Sequence, residues 1–379
     1  MKRVFLFLTG ISAILLIVSF RSFQFSAGDD IPVDSLRKIY LKPSSFWPKA
    51  EIDPGVNFVE LGILPPSPVD QKNAAVRNKV ALGKILFFDP RLSASNQISC
   101  SSCHAPDLSY ADGREVSIGH DHAANTRNAP SLENIWFFKK LFWDGRAESL
   151  EEQAGVPMSS AIEMHQDMKV LAKKLDKIKG YQAHFKAAFG DEKISNQRIF
   201  ESLAIFQRTI VSRKAPFDRF LEGSKNALTD EQVLGLHLFR TKARCMNCHH
   251  GPLFSDNEFH NVGLTYYGRK YEDLGRYHIT GNKEDIGKFK TPGLRDVMRT
   301  APWFHNGLFG NMEGVMNMYN AGMPDQKRKP EQINDPLFPV KDKLLKGLML
   351  TKAERTAVIS FLQAISTEPW KDRAPEMPK

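Results

Sequence analysis

The sequence predicts a mainly α-helical protein made of two similar units, with long loops and few short strands. Apolar residues recur with a helical period after two capping boxes, which begin at Thr229 and Thr351. The pattern Leu-Gly-x-x-Leu-Phe occurs at residues 82–87 and again at residues 234–239, and a short cysteine motif follows each copy. Because such a repeat indicates internal duplication, each copy is expected to begin one helical unit.

The N-terminal segment has the pattern of an export signal. Two basic residues precede an apolar run over residues 4–20, which is near the lower limit for spanning a bilayer. No clean cleavage site follows the run. Residues 1–27 are therefore predicted to be a signal peptide or a retained membrane anchor. The protein is expected in the periplasm, either soluble or tethered to the inner membrane by residues 4–20.

Residues 28–70 are rich in proline and lack strong periodicity, which indicates an N-terminal arm or linker. Further along the chain, helices are predicted at residues 166–190 and 196–212. The loops between residues 250 and 325 are long, and long loops in compact domains are usually functional.

The two cysteine motifs both read Cys-x-x-Cys-His, and together they contain all four cysteines of the chain. This is the attachment signature of c-type haem, in which two thiols bind the vinyl groups and the histidine binds the iron. A disulfide or a thioredoxin-like motif would not require a histidine after both second cysteines. A zinc site made of four cysteines would normally have its two pairs closer in sequence. The predicted haem-binding residues are Cys100, Cys103 and His104 in the first motif and Cys245, Cys248 and His249 in the second.

Two cytochrome c-like haem-binding domains are therefore expected. The N-terminal domain would span residues 71–214 and the C-terminal domain residues 215–379, with one covalently bound haem c in each. The formal net charge of +9 is scattered along the chain rather than gathered into a basic stripe with aromatic residues. This pattern argues against nucleic-acid binding, whereas a basic face could steer an acidic redox partner.

Several further segments resemble the bacterial di-haem cytochrome c peroxidase family, which includes the MauG branch that oxidises protein tryptophans. The resemblance covers residues 75–370 in the order found in the family. Its most specific segments are Arg127-Asn-Ala-Pro-Ser, Phe142-Trp-Asp-Gly-Arg, Glu163-Met-His, Lys290-Thr-Pro-Gly-Leu-Arg and Thr300-Ala-Pro-Trp-Phe-His-Asn-Gly.

The resemblance implies that the N-terminal haem reacts with peroxide. Glu163 would be the acid–base residue over its distal face, with Gln153 and Pro157 lining the same pocket. A carboxylate over an apolar haem face can move the proton that heterolysis of hydrogen peroxide requires. Without the resemblance, a solvated glutamate in a loop would be the favoured interpretation. Trp143 matches the tryptophan that lies between the two haems and would relay electrons.

Two further ligand sites are implied by the resemblance. His120 matches the histidine that caps the peroxidatic haem in the resting state, although His122 is a nearby competitor and an exposed loop histidine is an equally good interpretation. Asn128, with the backbone carbonyls of Thr300 and Pro302, matches a calcium site between the haems. These are hard oxygen ligands, as calcium prefers, but the residues could also form an ordinary polar turn.

The distal ligand of the second haem is where the two branches of the family differ. The peroxidases use methionine, whereas an ungapped count from His305 aligns Tyr319, as in MauG. The alternatives to Tyr319 are Met316, Met318 and Met323. All four could also be core residues over the haem face.

The favoured function is therefore reduction of hydrogen peroxide to water, with electrons from a small cytochrome or copper protein entering through the C-terminal haem. A MauG-like oxidase that modifies a protein side chain is the second hypothesis. A non-catalytic di-haem electron carrier is the third, although a carrier needs no distal acid such as Glu163. The resemblance also implies a homodimer.

Overall fold

The computed structural model describes residues 31–379, so the predicted signal peptide or anchor at residues 1–27 lies outside the described residues. Within the described range the chain forms α-helices, short 3₁₀ helices and one small antiparallel sheet, which confirms the mainly helical fold. None of the helices between residues 31 and 379 combines the length and the apolar character needed to span a membrane.

The helices and strands follow one another along the chain. The helices are α1 (Val33–Tyr40), α2 (Ala74–Phe88), α3 (Leu150–Ser159), α4 (Leu171–Asp176), α5 (Lys179–Phe189), α6 (Asn196–Gln207), α7 (Pro216–Leu221), α8 (Asp230–Arg240), α9 (Tyr277–Thr280), α10 (Met312–Asn320) and α11 (Lys352–Ala364). The strands are β1 (Phe259–His260) and β2 (Phe289–Lys290), which pair antiparallel.

The two units are built on the same close helix crossing, α2 against α6 and α8 against α11. A Cβ atom on Gly83 would lie 1.9 Å from the carbonyl oxygen of Ser202, and one on Gly235 would lie 1.9 Å from that of Ala357. Only glycine allows the helix backbones to approach so closely. The glycine of each Leu-Gly-x-x-Leu-Phe copy therefore has the same packing role, which supports an internal duplication.

Aromatic pairs complete each crossing. The ring centroids of Phe87 and Phe206 are 5.2 Å apart in the first unit, and those of Phe239 and Phe361 are 5.4 Å apart in the second. All four rings are buried. Each pair belongs to a separate cluster of buried apolar side chains, so each unit has its own hydrophobic core.

Local capping explains where several helices begin. The predicted boxes at Thr229 and Thr351 are both present at the starts of α8 and α11. The helix predicted at residues 166–190, in contrast, is wrong as a single element, because it is divided into α4 and α5. Asp167 accepts a hydrogen bond from the backbone of Lys169, which stabilises a turn instead of a helix, and Ile178 has an extended backbone that ends α4.

Both ends of the described chain cross to the other unit. Helix α1, which the sequence did not predict within residues 28–70, packs on α8 and buries Leu36 and Tyr40 in the C-terminal core. The C-terminal tail returns to the N-terminal unit, where Asp372 accepts a 2.6 Å hydrogen bond from the Tyr110 hydroxyl. The two units are therefore linked by both terminal segments as well as by the chain between them.

Candidate functional site

The N-terminal unit encloses a cavity of about 380 Å³ whose walls come from two parts of the sequence. The first Cys-x-x-Cys-His motif lies on and after a short 3₁₀ helix at residues 100–102. The predicted distal residues come from α3 and the loop after it. The predicted residues that line this cavity are Cys100, Cys103, His104, Trp143, Gln153, Pro157 and Glu163.

The two motif histidines are held in the same way. Nδ1 of His104 lies 3.0 Å from the carbonyl oxygen of Tyr110, and Nδ1 of His249 lies 3.0 Å from that of Phe254. Because a carbonyl can only accept, Nδ1 carries the proton and Nε2 keeps its lone pair. Burial lowers the pKa of both imidazoles, which keeps them neutral. A neutral imidazole fixed by a second hydrogen bond is well suited to bind iron.

The cysteines also fit haem attachment. All four lie in the described part of the chain and form no disulfide, which excludes a disulfide framework. Burial raises the pKa of Cys100 and of Cys245 to about 12, so neither sulfur is suited to be an exposed reactive thiolate.

Glu163 is held in position by the loop at residues 117–125. The side-chain amide of Asn125 donates a 2.6 Å hydrogen bond to Oε1 of Glu163, and the backbone N–H of His120 donates to the Glu163 carbonyl at 2.8 Å. A Cβ atom on Gly119 would lie 2.1 Å from the carbonyl oxygen of Ile162, so the loop packs directly on this segment. Asn125 also lines the cavity, and the sequence analysis did not identify it.

Gln153 and Pro157 lie one turn apart on α3, so both face the cavity. The helix begins at Ser149, whose hydroxyl accepts a 3.1 Å hydrogen bond from the backbone N–H of Glu152. Proline inside a helix cannot donate a backbone hydrogen bond, and here it presents an apolar ring to the cavity.

His120 does not line the cavity in this structure. Its ring packs edge-on against the ring of His165, with the centroids 4.6 Å apart, while its neighbour Gly119 lines the cavity. His122 is exposed. His165 has a left-handed backbone conformation with φ of 50°, which is uncommon for a residue other than glycine.

The C-terminal unit encloses a second cavity, of about 260 Å³. It is lined by Cys245, Cys248 and His249 of the second motif. Met316 and Tyr319 on α10 also line it. These two residues are three positions apart and share a helix face, whereas Met318 and Met323 do not line the cavity. Burial raises the pKa of Tyr319, so a phenolate at this position would need a nearby cation.

Trp143 lines both cavities. Its indole N–H donates a 2.9 Å hydrogen bond to the carbonyl of Asn128, and its ring lies 6.4 Å from that of His305. His305 stacks on Phe289 at 3.5 Å, and burial lowers its pKa to about 3. The sequence analysis did not assign a role to His305. A comparison of the two units would have found it, because Phe-Trp-Asp-Gly at residues 142–145 corresponds to Phe-His-Asn-Gly at residues 304–307.

The predicted calcium ligands all belong to the lining of one cavity. Asn128, Thr300 and Pro302 all line the C-terminal cavity. The Asn128 amide nitrogen donates to the carbonyl of Arg114 at 2.8 Å, which orients its amide oxygen away from that contact. The three residues are therefore brought together from two distant segments of the chain.

A charged histidine lies beside the second motif. Nε2 of His260 is 2.9 Å from Asp256, and Nδ1 is 2.6 Å from Asp342. Burial alone would lower the pKa of His260, but the two carboxylates outweigh it and raise the pKa to about 12. Cys248 lies close enough to form a three-residue metal cluster with His260 and Asp256. Because Cys248 belongs to the haem motif, we interpret His260, Asp256 and Asp342 as a structural ion-pair cluster and not as a metal site.

An ionic network joins the two units next to the N-terminal cavity. Arg127, which lines that cavity, donates to both oxygens of Asp273 in the C-terminal unit, at 2.6 and 2.9 Å. Its remaining nitrogen contacts Asp144. A bidentate pair of this kind is among the stronger charged contacts in proteins.

Comparisons with known proteins agree with this geometry. The family model described as di-haem cytochrome c peroxidase matches residues 77–226. The cytochrome-c peroxidase IdrP1 of Pseudomonas sp. (strain SCT) is 36% identical over 348 residues, which are 84% of this chain and 89% of that protein. The methylamine utilization protein MauG of Methylophilus methylotrophus is 36% identical over 316 residues, 82% of this chain and 89% of that protein.

A solved structure extends the likeness to the fold. The crystal structure of a MauG-like protein associated with microbial copper homeostasis superimposes with a TM-score of 0.70 at 29% identity, over 84% of this chain and 96% of that one. Relatives of this identity and coverage show the family of this chain, and the two cavities agree with it. The chain belongs to the bacterial di-haem cytochrome c peroxidase/MauG family, whose members carry two c-type haems.

Proposed function

We propose that this protein reduces hydrogen peroxide to water, with electrons from a small cytochrome or copper protein entering through the C-terminal haem. The observation that carries the proposal is the N-terminal cavity. The Cys-x-x-Cys-His motif forms one part of its wall, and a positioned carboxylate, Glu163, forms another. An electron carrier needs no acid in such a position, so the cavity favours an enzyme.

The haem in this cavity would supply an iron atom that binds peroxide and delivers electrons to it. The residues of the chain supply the proton movement. Asn125 holds Oε1 of Glu163, which leaves Oε2 available to the substrate. Glu163 accepts the proton of the inner peroxide oxygen and returns it to the outer oxygen as the O–O bond breaks. With two electrons and two further protons, both oxygens leave as water.

Trp143 is proposed as the electron relay. Its ring forms part of both cavity walls, and the hydrogen bond to Asn128 fixes its orientation. We further propose that Asn128, with the carbonyls of Thr300 and Pro302, binds calcium. An ion at this position would link the two units, since Asn128 belongs to the N-terminal unit and Thr300 and Pro302 belong to the C-terminal unit.

His120 is proposed as a ligand that reaches the iron only if its loop moves. In the arrangement described here the loop instead packs on the Glu163 segment, which leaves the distal side of the cavity to Glu163, Gln153 and Pro157. This arrangement fits a site that accepts peroxide directly.

A MauG-like oxidase is the second candidate, and one observation favours it. Tyr319 lines the C-terminal cavity, whereas two of the three alternative methionines do not. Tyrosinate is a hard donor that favours ferric and higher oxidation states. Oxidation of a protein side chain would use such states in both haems, in place of an external electron donor.

The remaining expectations rest on the resemblance and on the N-terminal residues. We propose that residues 1–27 export the protein to the periplasm, and that they are either cleaved or retained as an anchor. We also propose a homodimer.

Replacing Glu163 tests the enzymatic proposal. Glu163→Gln should keep both haem spectra but lose about 10²–10⁴-fold in peroxide turnover, the usual contribution of a general acid–base residue. Turnover is measured with a small-molecule reductant, so that no protein donor is needed. Glu152→Gln is the matched control, because Glu152 is exposed on α3 and does not line the cavity. Equal turnover in Glu163→Gln and the wild type would contradict the assigned role.

A further inference from the structure

Two buried carboxyl groups meet where the two units join. Glu133 belongs to the N-terminal unit and is 8% exposed, and Asp296 belongs to the C-terminal unit and is 1% exposed. Glu133 also lines the C-terminal cavity. Buried carboxyl groups are uncommon unless they are paired or protonated, so this contact needs a chemical explanation.

The hydrogen bonds of the pair indicate one shared proton. Oε2 of Glu133 and Oδ2 of Asp296 are both buried and meet no donor among the described residues. The two side chains are within hydrogen-bonding reach of each other. A single proton between them would satisfy both oxygens at once.

The proton would reside on Glu133 rather than on Asp296. Oδ1 of Asp296 accepts hydrogen bonds from the backbone N–H and the hydroxyl of Thr367, at 2.6 and 2.9 Å. Hydrogen bonds to a carboxylate favour its charged form. Glu133 has no comparable set of donors, and its Oε2 is free to donate once it is protonated.

We propose that Glu133 and Asp296 form a redox-linked proton site for the C-terminal haem. The pair takes up one proton when one electron arrives at that haem, and it releases the proton when the electron leaves. Electron and proton then move together, and the net charge of the buried region is unchanged. Peroxide reduction consumes one proton per electron, so such a site extends the proposed function. It requires the haem on Cys245 and Cys248 but not peroxide turnover, and the two proposals can therefore fail separately.

The surroundings of Glu133 allow this titration. Burial, followed by the charge of Asp296, raises the pKa of Glu133 well above its ordinary value. An electron added to the haem makes it one charge more negative, which would raise the pKa of a nearby carboxyl group, and loss of the electron would lower it again. The other groups near Glu133 are Arg213, whose charge favours its ionised form, the hydroxyl of Ser109, and Tyr110.

Other titratable groups line the same cavity, namely Cys245, Cys248, His249, His260, Lys290, His305, Tyr319, Asp342 and Lys346. Burial lowers the pKa of Lys290 to about 7, so Lys290 is the main competitor for any pH dependence. Burial lowers the pKa of His305 to about 3, so His305 stays neutral over the relevant range. Arg244 and Arg295 also line the cavity and remain charged at any pH of interest.

The test is the reduction potential of the C-terminal haem as a function of pH. Redox titrations of the wild type, followed optically and by EPR to separate the two haems, are made between about pH 6 and 9. At a pH between the Glu133 pKa of the oxidised state and that of the reduced state, one proton per electron lowers the potential by about 59 mV per pH unit, which is a tenfold change in the reduction equilibrium. Glu133→Gln should make the potential nearly independent of pH over the same range. Glu201→Gln, a surface carboxyl on α6 that does not line the cavity, should keep the wild-type slope.

Lys290→Met separates the proposal from its main competitor. If Lys290→Met abolishes the slope and Glu133→Gln keeps it, the lysine is the proton site and the proposal is wrong. A flat wild-type potential would also overturn it. If Glu133→Gln does not fold, proton uptake by Lys290→Met decides the matter. Reduction of the C-terminal haem in weak buffer with a pH indicator should take up about one proton, and uptake near zero would exclude the site.

Discussion

One side chain, Trp143, lines both cavities. Trp143 and His305 occupy corresponding positions in the two units, and their rings lie 6.4 Å apart. The indole N–H of Trp143 donates to the backbone carbonyl of Asn128, which also lines both cavities. Trp143 therefore contributes a hydrogen-bonded indole to both cavities, and His305 contributes a neutral imidazole to the C-terminal one.

Removing the indole should slow electron transfer between the haems. Trp143→Phe keeps an aromatic ring but loses the hydrogen bond to Asn128, at a cost of about 0.5–1.5 kcal/mol in stability. We expect both haems to be incorporated and the N-terminal haem to react with peroxide. Stopped-flow spectroscopy should then show slower transfer between the haems. Trp136→Phe is the control, since Trp136 lines neither cavity and its indole N–H meets no acceptor among the described residues. If both variants transfer electrons at the wild-type rate, Trp143 has a packing role only.

The distal ligand of the C-terminal haem can be decided by substitution on α10. If Tyr319 is the ligand, Tyr319→Phe should change the spectrum of this haem, because a bound phenol oxygen would be a hard donor that stabilises ferric iron. Met318→Leu and Met323→Leu should leave the spectrum unchanged, since neither residue lines the cavity. Met316→Leu is the informative comparison, because Met316 lines the cavity beside Tyr319. Loss of a high-potential, low-spin signal in Met316→Leu would show that methionine is the ligand.

At the scale of helices, the two glycine crossings define the fold. Helices α8 and α11 touch at Gly235, and α8 leads directly into the second Cys-x-x-Cys-His motif. The position of the motif therefore depends on how closely the helices approach each other. Gly83 has the same packing role at the crossing of α2 and α6, although residues 89–99 separate α2 from the first motif.

A methyl group at the crossing should destabilise the protein. In Gly235→Ala the new Cβ would lie 1.9 Å from a backbone oxygen, which cannot move as a side chain can. We expect a loss of about 1–3 kcal/mol or more in the free energy of unfolding, and lower haem content in the C-terminal unit. Gly314→Ala on α10 is the control, because no atom lies within 4 Å of its Cβ. That change should stabilise the protein by about 0.5–1 kcal/mol. Chemical denaturation measures the free energy of unfolding of both variants. If Gly235→Ala is as stable as the wild type, the helices can move apart at little cost.

At the scale of the whole molecule, the units are joined by charge as well as by the crossing terminal segments. Arg127 bridges Asp144 in its own unit and Asp273 in the other. We propose that the boundary between the units lies near residues 214 and 215. The N-terminal arm then packs with the C-terminal unit and the C-terminal tail with the N-terminal unit.

The contribution of this network should depend on pH. Burial raises the pKa of Asp273, but the hydrogen bonds from Arg127 outweigh it, and the pKa lies below its ordinary value. A carboxyl with a depressed pKa stabilises the fold above its unfolded pKa of about 4, and this stabilisation is lost as the pH falls through the folded pKa. Arg127→Met should therefore cost about 3 kcal/mol at pH 7 and progressively less below about pH 4.

Thermal unfolding followed over a pH series measures this dependence. Lys140→Met is the control, because the Lys140–Glu148 pair is exposed and should contribute about 0–1 kcal/mol. A cost of Arg127→Met that stays constant down to about pH 3 would contradict the electrostatic explanation.

The sequence alone was sufficient for the features that depend on neighbouring residues. The Cys-x-x-Cys-His motifs, the capping boxes at Thr229 and Thr351 and the repeated glycine pattern are all local, because haem attachment and helix initiation each need residues only a few positions apart. The mainly helical fold followed from them, and the family followed from the resemblance of further segments. The roles of Glu163, Trp143 and Tyr319 came only from the resemblance and stay predictions, although all three residues line the expected cavities.

The tertiary structure decided what depends on residues far apart in the chain. The contact of Asn125 with Glu163, the pairing of Trp143 with His305 and the packing of His120 on His165 are not encoded in any local spacing. The shared burial of Glu133 and Asp296, more than a hundred residues apart, is likewise invisible in the sequence. Burial sets both the protonation state of a carboxyl group and the cost of leaving it unpaired. Burial is a property of the folded molecule, so these contacts could be identified only once the two units were packed together.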